Sequence, residues 1–164
     1  PLGAQASPWW AGVDNVFFPP NVASELSVMR KFLIFAAVFG LVAVVSGALA
    51  AHAFKAKLAD TGELENFLRA KDYMFYHAAA LGLVALLVDR FPARRFHWAG
   101  WCFLAGSLLF QGSLFIYSLT AEKFLINFTP YGGILLMAGW LLLGIEAWRL
   151  GVSLSESDQN NSSA

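Results

Sequence analysis

The chain has 164 residues, of which 58% are hydrophobic and only 13% charged, with eleven basic side chains balancing eleven acidic ones. Such an apolar excess lies outside the range of a soluble domain and marks an integral membrane protein, while zero net charge supplies no basic field and excludes nucleic acid as a partner. Cys102 is the one cysteine and sits in an apolar run, which excludes an internal disulfide or a paired-thiol redox site.

Residues 1–28 contain no Lys or Arg and carry Trp9-Trp10, Phe17-Phe18 and Pro19-Pro20. The proline pair excludes a further spanning helix here and favours an extended arm. Trp9, Trp10, Phe17 and Phe18 are candidate anchors for docking on another protein chain, since buried aromatics dominate many interfaces.

The first run without Asp, Glu, Lys or Arg extends from Phe32 to Ala51, after Met29-Arg30-Lys31 and before the string AHAFKAKL. Its small-x-small ending resembles a signal-peptidase site, but a signal-peptide core is about 7 to 15 residues, whereas roughly 20 cross the ~30 Å hydrocarbon layer. The length therefore favours a membrane-spanning helix over about residues 31–53, with His52 at its boundary. Ala36, Gly40, Ala43, Gly47 and Ala50 form one stripe of small residues, a surface on which helices approach in lipid. On that basis Gly40 and Gly47 are packing positions, and Gly47→Leu is expected to push the helix off its neighbour.

The segment KAKLADTGELENFLRAKD alternates charge sign and reads as a solvated amphipathic face, with Glu65 and Arg69 spaced for an i,i+4 pair. Asp60 and Glu63 resemble a capping box, so the second helix is placed at 61–90, including the charge-free run Tyr73 to Val88 and His77. The third helix, 96–120, repeats Ala99, Gly106 and Ser113 every seven residues on one face, and Gln111 is the most deeply placed strongly polar side chain. Gln111 is expected to hydrogen bond across helices. Thr129 as a cap and Pro130 at the first helical position start the fourth helix, 130–149, in which Gly132 and Gly139 again repeat at seven. Gly112 and Gly133 complete the expected packing set. Glu146 is expected to pair with Arg149 or Arg30. Residues 151–164, rich in Ser and Asn, have the composition of a flexible polar tail.

Together these runs predict an all-α fold, an up-down four-helix membrane bundle over residues 29–150. Trp98, Trp101 and Trp148 gather at one end and Tyr73, Tyr76, Tyr117 and Tyr131 at the other, as interfacial anchors do. Basic residues divide less cleanly, with Arg30, Lys31, Arg90, Arg94, Arg95 and Arg149 at the tryptophan end against Lys55, Lys57, Arg69, Lys71 and Lys123 at the other, and the small excess places both termini in the cytoplasm of a bacterial inner membrane as an expectation.

The strings GALAAHAFKAKL, YMFYHAAAL, GSLLFQGSLFIYSL and TPYGGILLMAGWLLLG resemble the small four-helix membrane family of domain of unknown function 423, which includes transmembrane protein 256. Gly47, Ala51, His52, Lys55, Tyr73, His77, Gly112, Ser113, Thr129, Pro130, Gly132, Gly133, Gly139 and Trp140 stand where that family's pattern places them. The resemblance implies a fold and a membrane location from Met29 to about Leu150, and it brings no catalytic chemistry that could be carried over residue by residue.

Chemistry-bearing residues are few. No glycine-rich nucleotide loop occurs, no carboxylate lies in any of the four charge-free runs, and three histidines are too few for a four-histidine cytochrome. The sequence therefore favours a non-enzymatic accessory or structural subunit of a larger membrane complex, without a cofactor, in contact with lipids and other membrane subunits. The competing reading is a small binding or transport protein that handles a metal, a proton or a small ligand through His52 and His77, which the first hairpin would bring near each other.

Overall fold

A computed structural model describes residues 22–92 and 94–162, and the four aromatic candidates of the N-terminal arm lie outside them. The chain folds into helices α1 (Val22–Ala51), α2 (Lys55–Asp60), α3 (Leu64–Arg90), α4 (Phe96–Thr120) and α5 (Thr129–Ser162), with a 3-10 turn over Lys123–Phe128 between α4 and α5. Four of these, α1, α3, α4 and α5, contain stretches long and apolar enough to cross a membrane. In hydrocarbon only a helix satisfies all its backbone polar groups within one segment, so long charge-free runs become helices.

Three boundaries differ from the sequence expectations. Helix α1 begins at Val22 rather than near residue 31, so residues 22–28 are helical and not part of an extended arm; nothing after Pro19-Pro20 breaks a helix before it enters the apolar run. Helix α3 starts at Leu64, not 61, because Asp60 ends the separate helix α2 and Gly62 turns the chain at φ +74°. The Glu63 side chain makes no capping bond and instead accepts from the Asn66 amide at 2.8 Å. Helix α5 continues to Ser162, so most of the polar tail is helical: extending an existing helix needs no new nucleation, and no proline intervenes. Arg94 donates to Ser153 and holds the first turn of this extension.

The helices pack in a row. Helix α3 lies against α1 and α4, and α4 lies against α5, while α1 meets α4 only around Phe32. Burial follows that order: 44% of the apolar window of α3 and of α4 is buried, against 22% for α1 and for α5. The main core runs between the helices through Phe32, Phe39, Leu81, Val84, Phe96 and Phe103, and a smaller cluster of Ala50, Leu58 and Phe67 seats α2 beneath the α1–α3 corner. At the interfacial ends Trp98, Trp148, Tyr76 and Tyr131 are exposed, as an aromatic belt requires.

Only some of the expected packing glycines are contact points. A methyl group on Gly106 would lie 2.8 Å from Leu136, one on Gly139 2.7 Å from the Phe103 ring, and one on Gly132 would overlap the Phe110 backbone. These three weld α4 to α5, and Ser113 adds a 2.7 Å hydroxyl contact to Thr129. Gly133 meets the Phe110 ring at ordinary van der Waals distance. Gly40 and Gly112 face open space, and Gly47 would touch only the flexible Lys71 side chain, at 3.3 Å. Gly100, which the seven-residue repeat does not reach, is where Phe32 presses within 2.5 Å of a built methyl. Gly47→Leu is therefore expected to leave the thermal midpoint of the detergent-solubilised protein unchanged within a few degrees; a loss comparable to an overpacked core, about 1 to 3 kcal/mol, would show that α1 sits closer to α3 than described.

Candidate functional site

On α3 the buried positions Phe67, Ala70, Met74, His77, Leu81 and Val84 recur every three or four residues, which places His77 on the stripe facing α4. The opposing stripe of α4 contains Phe103, Ser107 and Gln111, each one turn from the next. Phe103 and Gln111 both touch His77, at 5.7 Å between ring centroids and 3.2 Å from the amide to Nδ1 respectively. Ser107 lies between them on the same stripe. His77 is 4% exposed and Gln111 and Ser107 are fully buried.

His77 Nδ1 donates to the Tyr73 carbonyl at 2.7 Å. A carbonyl can only accept, so the proton resides on Nδ1 and Nε2 keeps a bare lone pair. For Gln111 to bond the same Nδ1–H, its amide must turn its oxygen toward the ring and share that proton in a three-centre bond, with the NH2 group directed away. Among the described residues no polar atom meets His77 Nε2, the far end of the Gln111 amide or Ser107 Oγ. Three buried polar groups with unused hydrogen-bonding capacity thus cluster where α3 meets α4.

The cluster lies inside the hydrocarbon layer. His77 is about 13 residues, or ~20 Å, from the Arg90 end of α3, two-thirds of the way across. Beside it opens a cleft of about 280 Å³ lined by Tyr73, His77, Phe110, Gly133, Leu136, Met137 and Trp140. Trp140 closes on both His77 and Phe103, with centroids at 6.3 and 5.1 Å. Among the described residues no charged side chain lines this cleft.

The structure does not bring His52 to His77. Gly47 lies beside Lys71 and Ala36 beside Gly82, and this register puts His52 opposite about residue 66, ~16 Å along the axis from His77. His52 is exposed, and among the described residues no three His, Cys, Asp or Glu side chains converge as a metal site would need. Gln111 does bond across helices, with His77 as its partner. That partner was within reach of the sequence: the turn between Arg90 and Phe96 is tight, and residues roughly equidistant from it must face each other.

An ion pair lies at each end of the bundle. Glu146, 7% exposed, pairs with Arg149 at 2.9 Å and accepts from the Arg95 amide at 3.4 Å, closing the tryptophan end between α4 and α5. At the tyrosine end Arg69 and Glu65 form the expected exposed i,i+4 pair at 2.5 Å.

A family profile described as "Protein of unknown function (DUF423)" matches residues 46–133. A UPF0382 membrane protein of Staphylococcus aureus is 36% identical over 121 residues, covering 74% of this chain and 98% of the relative. One from Staphylococcus epidermidis is 37% identical over 117 residues, covering 71% and 94%. The UPF0382 membrane protein YwdK of Bacillus subtilis is 36% identical over 120 residues, covering 73% and 97%. No solved structure matches the chain.

Proposed function

Since the chain belongs to the DUF423 family of integral membrane proteins, we propose that it is a non-enzymatic accessory or structural subunit of a larger complex in the bacterial inner membrane. The observation that supports this reading is the open space beside Gly40 and Gly47 on the small-residue stripe of α1, whose Ala43 and Ala50 are buried in the bundle. Apolar side chains facing outward need no partner in a bilayer, because lipid is as apolar as they are. Small residues are different, since they create a groove that another helix backbone fills closely. Gly40 on α1 has open space where a side chain would point. A cleft of about 250 Å³ follows it between α1 and α3, lined by Ala43, Val44, Gly47, Lys71, Asp72 and Phe75. The Lys71–Asp72 ion pair at 2.6 Å gives its outer end a polar handle.

A partner's spanning helix laid along Gly40 and Gly47 is the arrangement this groove suits. With the arginine-rich end of the bundle at the cytoplasm, the groove opens toward the opposite leaflet. Purification in mild detergent followed by mass spectrometry is expected to recover a second membrane chain in fixed stoichiometry, and the double substitution Gly40→Leu and Gly47→Leu is expected to release it while the bundle stays folded. A lone monomer, or a partner indifferent to both leucines, overturns the proposal.

A further inference from the structure

We propose that the cleft at His77 is a binding site for a membrane-dissolved ring compound bearing a hydroxyl group, a phenol or quinol. This site is separate from the α1 groove and needs no partner chain.

Four features select that chemistry. First, the bare Nε2 of His77 is an acceptor, fixed as such by the Nδ1 bond to the Tyr73 carbonyl, so it calls for a donor. Second, the walls are aromatic: Tyr73 and Phe110 stand tilted at 30° with centroids 5.2 Å apart, and the Trp140 indole lies 6.3 Å from the imidazole. A flat ring suits such walls by stacking and edge contacts. Third, no charged residue lines the cleft, and its depth in the hydrocarbon excludes an ionic ligand on desolvation grounds. Fourth, about 280 Å³ lies at the lower end of small-molecule pockets, which start near ~300 Å³, so it takes one substituted ring rather than a whole lipid.

Entry is sideways from the bilayer. Trp140 and Met137, 49% and 65% exposed, both line the cleft beside His77. His77 Nε2 is buried, so binding requires one of these exposed side chains to turn aside. The hydroxyl donates to Nε2, the ring lies between Trp140 and Phe110, and any tail leaves past Met137 into the acyl chains. A simple ether of the same shape fills the cleft equally well but leaves Nε2 without a donor, and a buried polar group left unmatched weakens binding about tenfold.

The test uses the full chain in lipid nanodiscs with ¹⁵N-labelled histidine, where His52 and His97 serve as internal references. Three probes are compared: 4-ethylphenol, its methyl ether, and a hydroquinone with a short prenyl tail. The phenol and the hydroquinone are expected to move the His77 Nε2 resonance toward that of a hydrogen-bonded acceptor, with the ether at least about tenfold weaker and His77→Phe abolishing saturable binding. Response to both hydroxyl probes supports the site and shows that a free ring suffices. Response to the tailed hydroquinone alone supports it with a lipid-borne quinol as the source. An Nε2 resonance already shifted before any probe is added, which signals a resident water, overturns the proposal. So does an equal response to phenol and ether, or none to either hydroxyl probe.

Discussion

Gly132→Ala should destabilise the protein by about 3 kcal/mol or more, at the upper end of overpacking costs. A single methyl at this position would overlap the Phe110 amide nitrogen and lie 2.9 Å from both the Phe110 Cα and the Gly106 carbonyl oxygen. These are backbone atoms of a facing helix, so no side chain can rotate aside, and α5 must separate from α4 along its first turns. Gly112→Ala is the matched control: it also adds one methyl to a glycine of the same helix pair, but into open space. It should leave stability level or raise it by up to ~1 kcal/mol through helix propensity. Thermal denaturation in detergent, with unfolding followed by titration with a denaturing detergent, separates the two. Equal behaviour of the variants would show that the α4–α5 hairpin is not closely apposed.

Phe103→Ala should cost about 3 to 5 kcal/mol, the usual range for deleting a fully buried aromatic ring. Phe103 is 0% exposed and sits at the crossing of α3, α4 and α5, against the imidazole of His77, the indole of Trp140 and the flat face that Gly139 provides. Its removal leaves a void that three helices border, and none can close on it without losing register with another. Leu141→Ala offers the contrast. Leu141 is 66% exposed on the outer face of α5, where lipid replaces whatever the side chain vacates, and little change is expected. The comparison is made by the same denaturation in a bilayer mimetic, and a Phe103→Ala variant as stable as Leu141→Ala would remove the core from this crossing.

Much of the architecture was legible because the bilayer leaves few alternatives. A charge-free run of about 20 residues becomes a spanning helix whatever its neighbours do, and the third helix fell at 96–120 as expected. Helix ends were less legible. Val22 and Ser162 lie beyond the apolar runs, where hydropathy is silent and helix continuation decides. Glycine spacing named a face but not what covers it. Gly106, Gly132 and Gly139 meet a helix closely, while Gly40 and Gly112 face open space and Gly47 meets only the Lys71 side chain. Of the candidate site, His77 and the cross-helix role of Gln111 were each readable singly. Their convergence with Ser107 and Trp140 was not, because it depends on the rotation of α3 and α5 about α4, and no local pattern in the sequence encodes that angle.

The row-like packing also bears on how the protein is assembled in the membrane. Helix α1 packs on α3, α3 on α4 and α4 on α5, so every principal contact joins spanning helices that are neighbours in sequence, and such local contacts favour fast folding. The α3–α4 seam joins the two hairpins, stitched by Phe67 to Phe115, His77 to Gln111 and Phe91 to Phe96. Before that seam closes, the imidazole and the carboxamide face hydrocarbon on separate hairpins, each at the cost a polar group carries there. Their meeting relieves part of that cost. The polar cluster therefore exists only where α3 and α4 meet, and neither helix holds it alone.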